Sequence, residues 1–200
     1  MAAAIDFYFD FSSPYGYLAA TKIEALAAKH GRDVHWRPIL LGAAMKVTGG
    51  MPLPQIPLKG DYAKRDFVRS AKFHGAPFRV PSSFPISTVP AVRAFYWAQG
   101  KDPVKAVALA KALFRAYFVD DADISRVEEV IRVGASVGFT PEEVAAGVGE
   151  QAVKDKTKAE VDAAIGRGVF GSPFMIIDGE PFWGMDRFDQ VDKWLATGGW

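Results

Sequence analysis

Cysteine is absent from the 200 residues of the sequence. A chain without cysteine forms no disulfide, offers no thiolate ligand to a metal ion and has no cysteine nucleophile. It also lacks the Cys-x-x-Cys pair on which dithiol oxidoreductases depend. Any sulfur chemistry at this protein must therefore use a thiol that another molecule supplies.

A large excess of charge of either sign is also missing, since 24 basic and 23 acidic residues leave a formal net charge of +1. No broad positive field therefore favours nucleic acid or an anionic membrane surface as a partner. The three histidines, His30, His35 and His74, have no spacing that predicts a shared metal site. We expect a small molecule or a protein as the main partner and no bound metal.

The N-terminal segment MAAAIDFYFDF has no basic start of the kind found in signal peptides. Asp6 and Asp10 interrupt its apolar run, which predicts that the segment does not span a membrane. With 50% hydrophobic and 24% charged residues, the composition is that of a soluble globular protein. We expect a cytoplasmic protein with one substantial core, or one core with an inserted subdomain.

Strand patterns occur at the two ends of the chain. Residues 5–11 (IDFYFDF) and 34–41 (VHWRPILL) each predict a strand. Between them, Ser13 suits the N-cap and Pro14 the first position of a helix that Gly31 ends, which completes a βαβ unit. Near the C-terminus, a hairpin is predicted from strands 173–177 and 181–183 with a turn at Asp178-Gly179, followed by a helix over 186–195.

The middle of the chain, residues 42–168, shows helical start signals and no convincing strand. The predicted helix starts are Asp102-Pro103, a capping box of Ser125 with Glu128, and Thr140 through Glu143, with a further helix over residues 150–167. Repeated prolines predict extended loops over residues 49–57 and 76–90.

Four phrases, FYFDFSSPYGYLA, PLKGDY, FGSP and WGMDR, span nearly the whole chain in this order. Together they resemble the 2-hydroxychromene-2-carboxylate isomerase family and its relatives, the kappa-class glutathione transferases. The resemblance implies an α/β fold of the DsbA and kappa type. In it, a thioredoxin-like βαβ and ββα domain (residues 1–41 and 169–200) carries a large all-helical insertion (residues 42–168).

The same resemblance implies glutathione as cofactor. In that family the serine before the Pro, here Ser13, donates a hydrogen bond to the glutathione sulfur, and a hydroxyl at a helix start favours a thiolate. Pro173 is expected to be a cis-proline that exposes the Ser172 backbone to the cysteinyl part. The cofactor-binding residues that the resemblance implies are Ser13, Tyr15, Gly50, Lys59, Ser172, Pro173, Met185, Asp186 and Arg187.

Several alternatives remain open at this stage. Ser12 stands beside Ser13, so the hydroxyl of either serine could face the sulfur, and the position next to Pro14 favours Ser13. A serine before Pro14 is also a plain helix cap. The family often has an asparagine where Gly50 stands, and this chain contains no asparagine. The substrate carboxylate has three candidate partners in the sequence: Lys46, Lys59 and Arg187.

The function that the resemblance implies is glutathione-dependent cis-trans isomerisation of 2-hydroxychromene-2-carboxylate to trans-o-hydroxybenzylidenepyruvate, a step of naphthalene-type aromatic catabolism. A kappa-like glutathione transferase, which releases a thioether product, is the alternative enzyme. A non-catalytic module that binds glutathione or a peptide is the alternative outside enzymes. The family also implies a homodimer formed through the helical block.

Overall fold

The sheet has four strands and combines both ends of the chain. In this computed structural model, which describes residues 3–200, the strands are β1 (Ile5–Phe9), β2 (Val34–Pro38), β3 (Phe174–Ile177) and β4 (Glu180–Trp183). Their order is β2-β1-β3-β4, with β1 parallel to β2 and the other pairs antiparallel. The βαβ unit and the C-terminal hairpin are confirmed. Met1 and Ala2, which begin the predicted first domain and the segment considered as a signal peptide, lie outside the described residues.

Helices make up most of the remaining structure. They are α1 (Pro14–Ala20), α2 (Ile23–Lys29), α3 (Leu41–Thr48), α4 (Lys59–Phe73), α5 (Val89–Lys101), α6 (Pro103–Phe118), α7 (Val127–Ser136), α8 (Pro141–Gly149), α9 (Gln151–Gly166) and α10 (Phe188–Thr197), with short 3-10 turns at Leu53–Gln55 and Met185–Arg187. Within the described chain no strand lies between β2 and β3, as the sequence predicts. No described helix has both the length and the apolar character needed to cross a membrane.

The predicted first helix is wrong in one respect, because α1 and α2 are separate. The Thr21 hydroxyl donates to the Leu18 carbonyl oxygen at 2.7 Å, and the Thr21 N–H is shared between the Tyr17 and Leu18 carbonyls. Such side-chain bonding competes with regular helical pairing. The chain therefore turns at Lys22 and starts again at Ile23.

The predicted helix starts in the middle of the chain are confirmed at two positions and wrong at a third. The Asp102 side chain accepts from the first turn of α6, and Thr140 and Glu143 form a reciprocal capping box. The Ser125 hydroxyl instead donates to Asp123 at 2.5 Å, and α7 begins at Val127 without a side-chain cap. Asp123 thus takes the hydroxyl that a capping box would need.

The final helix and the first two strands also differ from their predicted bounds. The residues predicted to open the last helix form the 3-10 turn Met185–Arg187, and α10 runs from Phe188 to Thr197. Strand β1 ends at Phe9 and β2 at Pro38, earlier than predicted. The Asp10 carboxylate accepts the Leu41 N–H at 2.7 Å, so these two residues serve the start of α3 and not the sheet.

The main hydrophobic core is shared by the sheet and the helical block. Phe9 of β1 packs its ring 5.3 Å from that of Phe114 in α6 and 6.4 Å from that of Phe95 in α5. All three side chains are fully or almost fully buried. We therefore propose that residues 42–168, although inserted in the sequence, fold together with the rest. The division of the chain into two domains stays a prediction.

Gly147 in α8 tests the tightness of this core. A Cβ atom there would overlap the indole ring of Trp97 in α5, whereas a Cβ at Gly149 in the same helix meets no heavy atom within 4 Å. We expect Gly147→Ala to lower the free energy of unfolding by about 1–3 kcal/mol through overpacking. Gly149→Ala is the matched control and should change it by less than about 1 kcal/mol. Equal effects of both changes in urea unfolding would contradict the packing account.

Candidate active site

A cleft of about 1160 Å³ opens where the sheet meets the helical block. Its wall is mostly apolar and includes the starts of α1, α3 and α5, the loop before β3 and the segment that follows β4. Eight of the nine sequence-predicted cofactor residues line it: Ser13, Tyr15, Gly50, Ser172, Pro173, Met185, Asp186 and Arg187. The ninth, Lys59, is exposed at the first residue of α4 and is not among the lining residues.

Ser13 caps α1 and faces the loop before β3. Its hydroxyl oxygen accepts the Gly16 N–H at 3.0 Å, and its proton is donated to the Ser172 carbonyl oxygen at 3.0 Å. The side chain is largely buried, with 6% of the residue exposed. The helix-cap interpretation and the binding-site interpretation are therefore compatible, because the proton on the cleft side is held by a carbonyl that a bound anion can replace.

The loop before β3 presents backbone groups to the cleft. The Ser172-Pro173 peptide bond is cis, as the resemblance implies. The Ser172 hydroxyl accepts the backbone N–H of Asp10 at 2.9 Å, and within the described residues the Ser172 N–H has no hydrogen-bond acceptor. The Pro173 carbonyl accepts the Gly184 N–H at 3.0 Å, which joins this loop to the next part of the wall.

The segment from Trp183 to Arg187 forms that next part. Gly184 has a φ of 109°, and a Cβ atom there would overlap an Asp186 carboxylate oxygen. Arg187 Nη2 and Asp186 Oδ2 lie 3.4 Å apart, and the two side chains form an exposed ion pair at the edge of the cleft. Among lysines and arginines of the described chain, Arg187 alone lines the cleft, and Lys46 and Lys59 are exposed outside it.

Asp10 is the buried charge of the site and was missed by sequence reasoning. Only 3% of the residue is exposed, yet it belongs to the cleft lining. Burial raises the pKa of Asp10, and hydrogen bonds from the Leu41 and Ser12 backbones and from the Ser12 and Thr88 hydroxyls act in the opposite direction. The sequence signal for a buried carboxylate was an aspartate directly after the aromatic residues of β1.

Tyr15 and α4 form the opposite wall. The Tyr15 hydroxyl donates to Asp66 at 2.5 Å, and burial together with this carboxylate raises the pKa of Tyr15. Burial alone would raise the pKa of Asp66, but hydrogen bonds from Tyr15 and Arg69 outweigh it and lower that pKa. These contacts leave an acidic, hydrogen-bond-accepting wall.

His74 lies further along the same wall. Asp66 and Ser70 of α4 and His74, the residue that caps its C-terminal end, follow one another at a spacing of four residues and all line the cleft, a pattern that sequence reasoning did not use. Burial, and to a smaller extent Lys22, lowers the pKa of His74. In residues 3–200 no three metal-ligating side chains are grouped as a metal site would require.

Comparison with known proteins agrees with this geometry. A family model described as the DSBA-like thioredoxin domain matches residues 4–196. A 2-hydroxychromene-2-carboxylate isomerase of Sphingobium xenophagum is 31% identical over 98% of this chain and 99% of its own length. Glutathione S-transferase kappa 2 of Caenorhabditis elegans is 30% identical, with 96% and 91% covered. A solved 2-hydroxychromene-2-carboxylate isomerase structure superposes with a TM-score of 0.87 at 26% identity, covering 96% of this chain and 94% of that one.

Gly16 tests whether close packing at the start of α1 holds the Ser172 hydroxyl on the Asp10 N–H. A Cβ at Gly16 would lie 2.7 Å from the Ser172 hydroxyl oxygen and 3.1 Å from the Ser13 Cβ. We expect Gly16→Ala to displace the Ser172 hydroxyl from the Asp10 N–H and to speed hydrogen exchange of that amide in NMR spectra. Gly42→Ala, on the same cleft but with no atom within 4 Å of its Cβ, is the control. Unchanged exchange in Gly16→Ala would count against the coupling.

Proposed function

The chain belongs to the family of DSBA-like thioredoxin domains that includes the 2-hydroxychromene-2-carboxylate isomerases, and from this premise we propose that it is a glutathione-dependent isomerase. Its substrate would be 2-hydroxychromene-2-carboxylate or a close aromatic relative. The product would be trans-o-hydroxybenzylidenepyruvate, which places the enzyme in aromatic catabolism. The observation that carries the proposal is the Ser13 hydroxyl opposite the cis Ser172-Pro173 bond on an apolar cleft.

The residues on this cleft fit glutathione in three respects. The unpaired Ser172 N–H and its carbonyl suit the extended cysteinyl backbone of a peptide-like ligand. Ser13 holds a hydroxyl proton that can leave the Ser172 carbonyl and donate to sulfur. Asp186 supplies an anion that would pair with the γ-glutamyl ammonium of glutathione. Arg187 supplies a cation that would pair with a carboxylate of a ligand in the cleft.

Bound glutathione would supply a thiolate that adds reversibly to the conjugated double bond, so that the bond can rotate before the thiol leaves. Ser13 stabilises the anionic sulfur by donating its hydrogen bond, and it attacks nothing itself. A free thiol has a pKa of about 8.5, so a donated hydrogen bond at this position increases the fraction of thiolate near neutral pH. The apolar wall excludes water, which strengthens that bond.

The acidic wall around Asp66 indicates how the substrate would lie. Tyr15 donates a hydrogen bond to Asp66, and Arg69 pairs with the same carboxylate, so in the described chain this wall gives a substrate carboxylate no unpaired cation. Arg187, at the other side of the cleft, therefore becomes the preferred partner of the substrate carboxylate. Lys59 as a contact to the glycyl end of glutathione, a homodimer through the helical block and a cytoplasmic location stay predictions.

A kappa-like glutathione transferase is the second candidate, favoured by the 30% identity to a kappa transferase over nearly the whole chain. Glutathione consumption separates the two enzymes. An isomerase converts many equivalents of substrate while total free glutathione stays constant, whereas a transferase loses one glutathione per turnover. A module without catalytic activity would bind glutathione and do neither.

Ser13→Ala tests the proposed role of the hydroxyl. We expect kcat/KM for chromene isomerisation at neutral pH to fall about tenfold or more, because each pH unit by which the thiol pKa rises cuts the thiolate fraction about tenfold. Thr140→Ala removes another helix cap, far from the cleft, and should cost about 1 kcal/mol of stability without loss of kcat/KM. Equal activity of Ser13→Ala and wild type would rule out the proposed role.

A further inference from the structure

The buried Asp10 carboxylate accepts four hydrogen bonds. Oδ1 accepts the Ser12 N–H at 2.8 Å, the Ser12 hydroxyl at 2.9 Å and the Thr88 hydroxyl at 3.0 Å. Oδ2 accepts the Leu41 N–H at 2.7 Å. Each carboxylate oxygen thus has one backbone N–H donor, and a backbone N–H cannot reverse its role. With a fixed N–H donor on each oxygen and two hydroxyls that can donate to Oδ1, this arrangement suits the ionised carboxylate.

Asp10 is bonded through its backbone to both residues at the proposed sulfur position. Its N–H donates to the Ser172 hydroxyl at 2.9 Å, and its carbonyl accepts the Ser13 N–H at 2.9 Å. The aspartate is therefore in direct contact with the residue that would contact sulfur. Asp10 also belongs to the cleft lining itself.

Among residues 3–200, no cation hydrogen-bonds or pairs with the Asp10 carboxylate. Its hydrogen-bond partners on α3, α5 and the segment before α1 are all uncharged, namely Leu41, Thr88 and Ser12. Burial first, and then the charges of Asp123 and Asp10, raise the pKa of Tyr117 in α6, whose hydroxyl donates to the Ser83 carbonyl. In the described chain, the other titratable groups on the cleft wall are Tyr15, Asp66, His74, Asp186 and Arg187.

We propose that the negative charge of Asp10 opposes thiolate formation at Ser13 and so keeps the bound thiol basic enough to be a strong nucleophile. Two anions in a cleft of low polarity repel each other. A thiolate of lower pKa is more abundant but less nucleophilic, and the most effective attacking thiol has a pKa near the ambient pH. Asp10 thus has two roles. It positions Ser172 and Ser12 by hydrogen bonds, and its charge raises the pKa of the bound thiol. The inference rests on the proposed function, because it requires glutathione at Ser13.

The test is a pH titration of the thiolate absorbance of bound glutathione in wild type, Asp10→Asn and Asp102→Asn. We expect Asp10→Asn to lower the thiol pKa by about one pH unit below the wild-type value, because a neutral amide replaces a nearby anion. Asp102→Asn is the matched control. It changes another aspartate that accepts helix N–H groups, but one outside the cleft, and should leave the thiol pKa unchanged.

The direction of the change separates this role from a structural one. Loss of the site geometry alone would move the thiol pKa of Asp10→Asn up, towards that of free glutathione. A pKa equal to or above the wild-type value would overturn the inference while leaving the proposed function intact. If glutathione bound to wild type titrates like free glutathione, the proposed function fails and this inference fails with it.

A second measurement uses the wild-type protein, in case Asp10→Asn does not fold. Coupling between two titrating groups is reciprocal, so a thiolate must raise the pKa of Asp10 as much as Asp10 raises that of the thiol. Because glutathione is still a neutral thiol at the pH where Asp10 titrates, the probe is glutathione sulfonate, which is anionic at the sulfur position throughout. Carbon-detected NMR of the Asp10 carboxyl should give a higher pKa in the glutathione sulfonate complex than in the complex with S-methylglutathione, which has no charge at sulfur. Equal values in the two complexes would overturn the inference.

Discussion

The buried Asp10 carboxylate is the interaction on which the site depends. It joins the end of β1 to the first N–H of α3 and to Thr88, the residue before α5, while its own N–H holds the Ser172 hydroxyl. An ion taken out of water is tolerated only where hydrogen bonds replace its hydration. Donors from Ser12 and from the starts of α3 and α5 meet this requirement, so the carboxylate fixes the positions of two helices, while the Asp10 backbone N–H binds the loop before β3.

The cleft follows from this junction and from what the sequence lacks. With no cysteine in the chain, the proposed sulfur chemistry requires a bound thiol, which the proposal puts against Ser13 on the cleft wall. The mostly apolar wall and the acidic face formed by Tyr15 and Asp66 then select the second ligand. Such a wall suits an aromatic molecule with a hydroxyl at one end and its carboxylate at the other.

Local signals predicted the parts of the structure that depend on neighbouring residues. Ser13 with Pro14 marked the start of α1, and the hairpin turn and the cis Pro173 lie where the sequence patterns and the family resemblance place them. The break at Thr21 was missed because one hydroxyl redirected the backbone pairing. Asp10 was missed for another reason: its partners Leu41 and Thr88 lie 31 and 78 residues away, and no local pattern reveals such contacts.

The central claim is that Ser13 releases the Ser172 carbonyl and donates its hydrogen bond to a bound thiolate. A crystal structure of the glutathione complex tests it most directly. The account predicts the sulfur within hydrogen-bonding distance of the Ser13 hydroxyl and the cysteinyl backbone paired with the Ser172 N–H. A complex in which Ser13 still donates to the Ser172 carbonyl, with the sulfur elsewhere in the cleft, would contradict it.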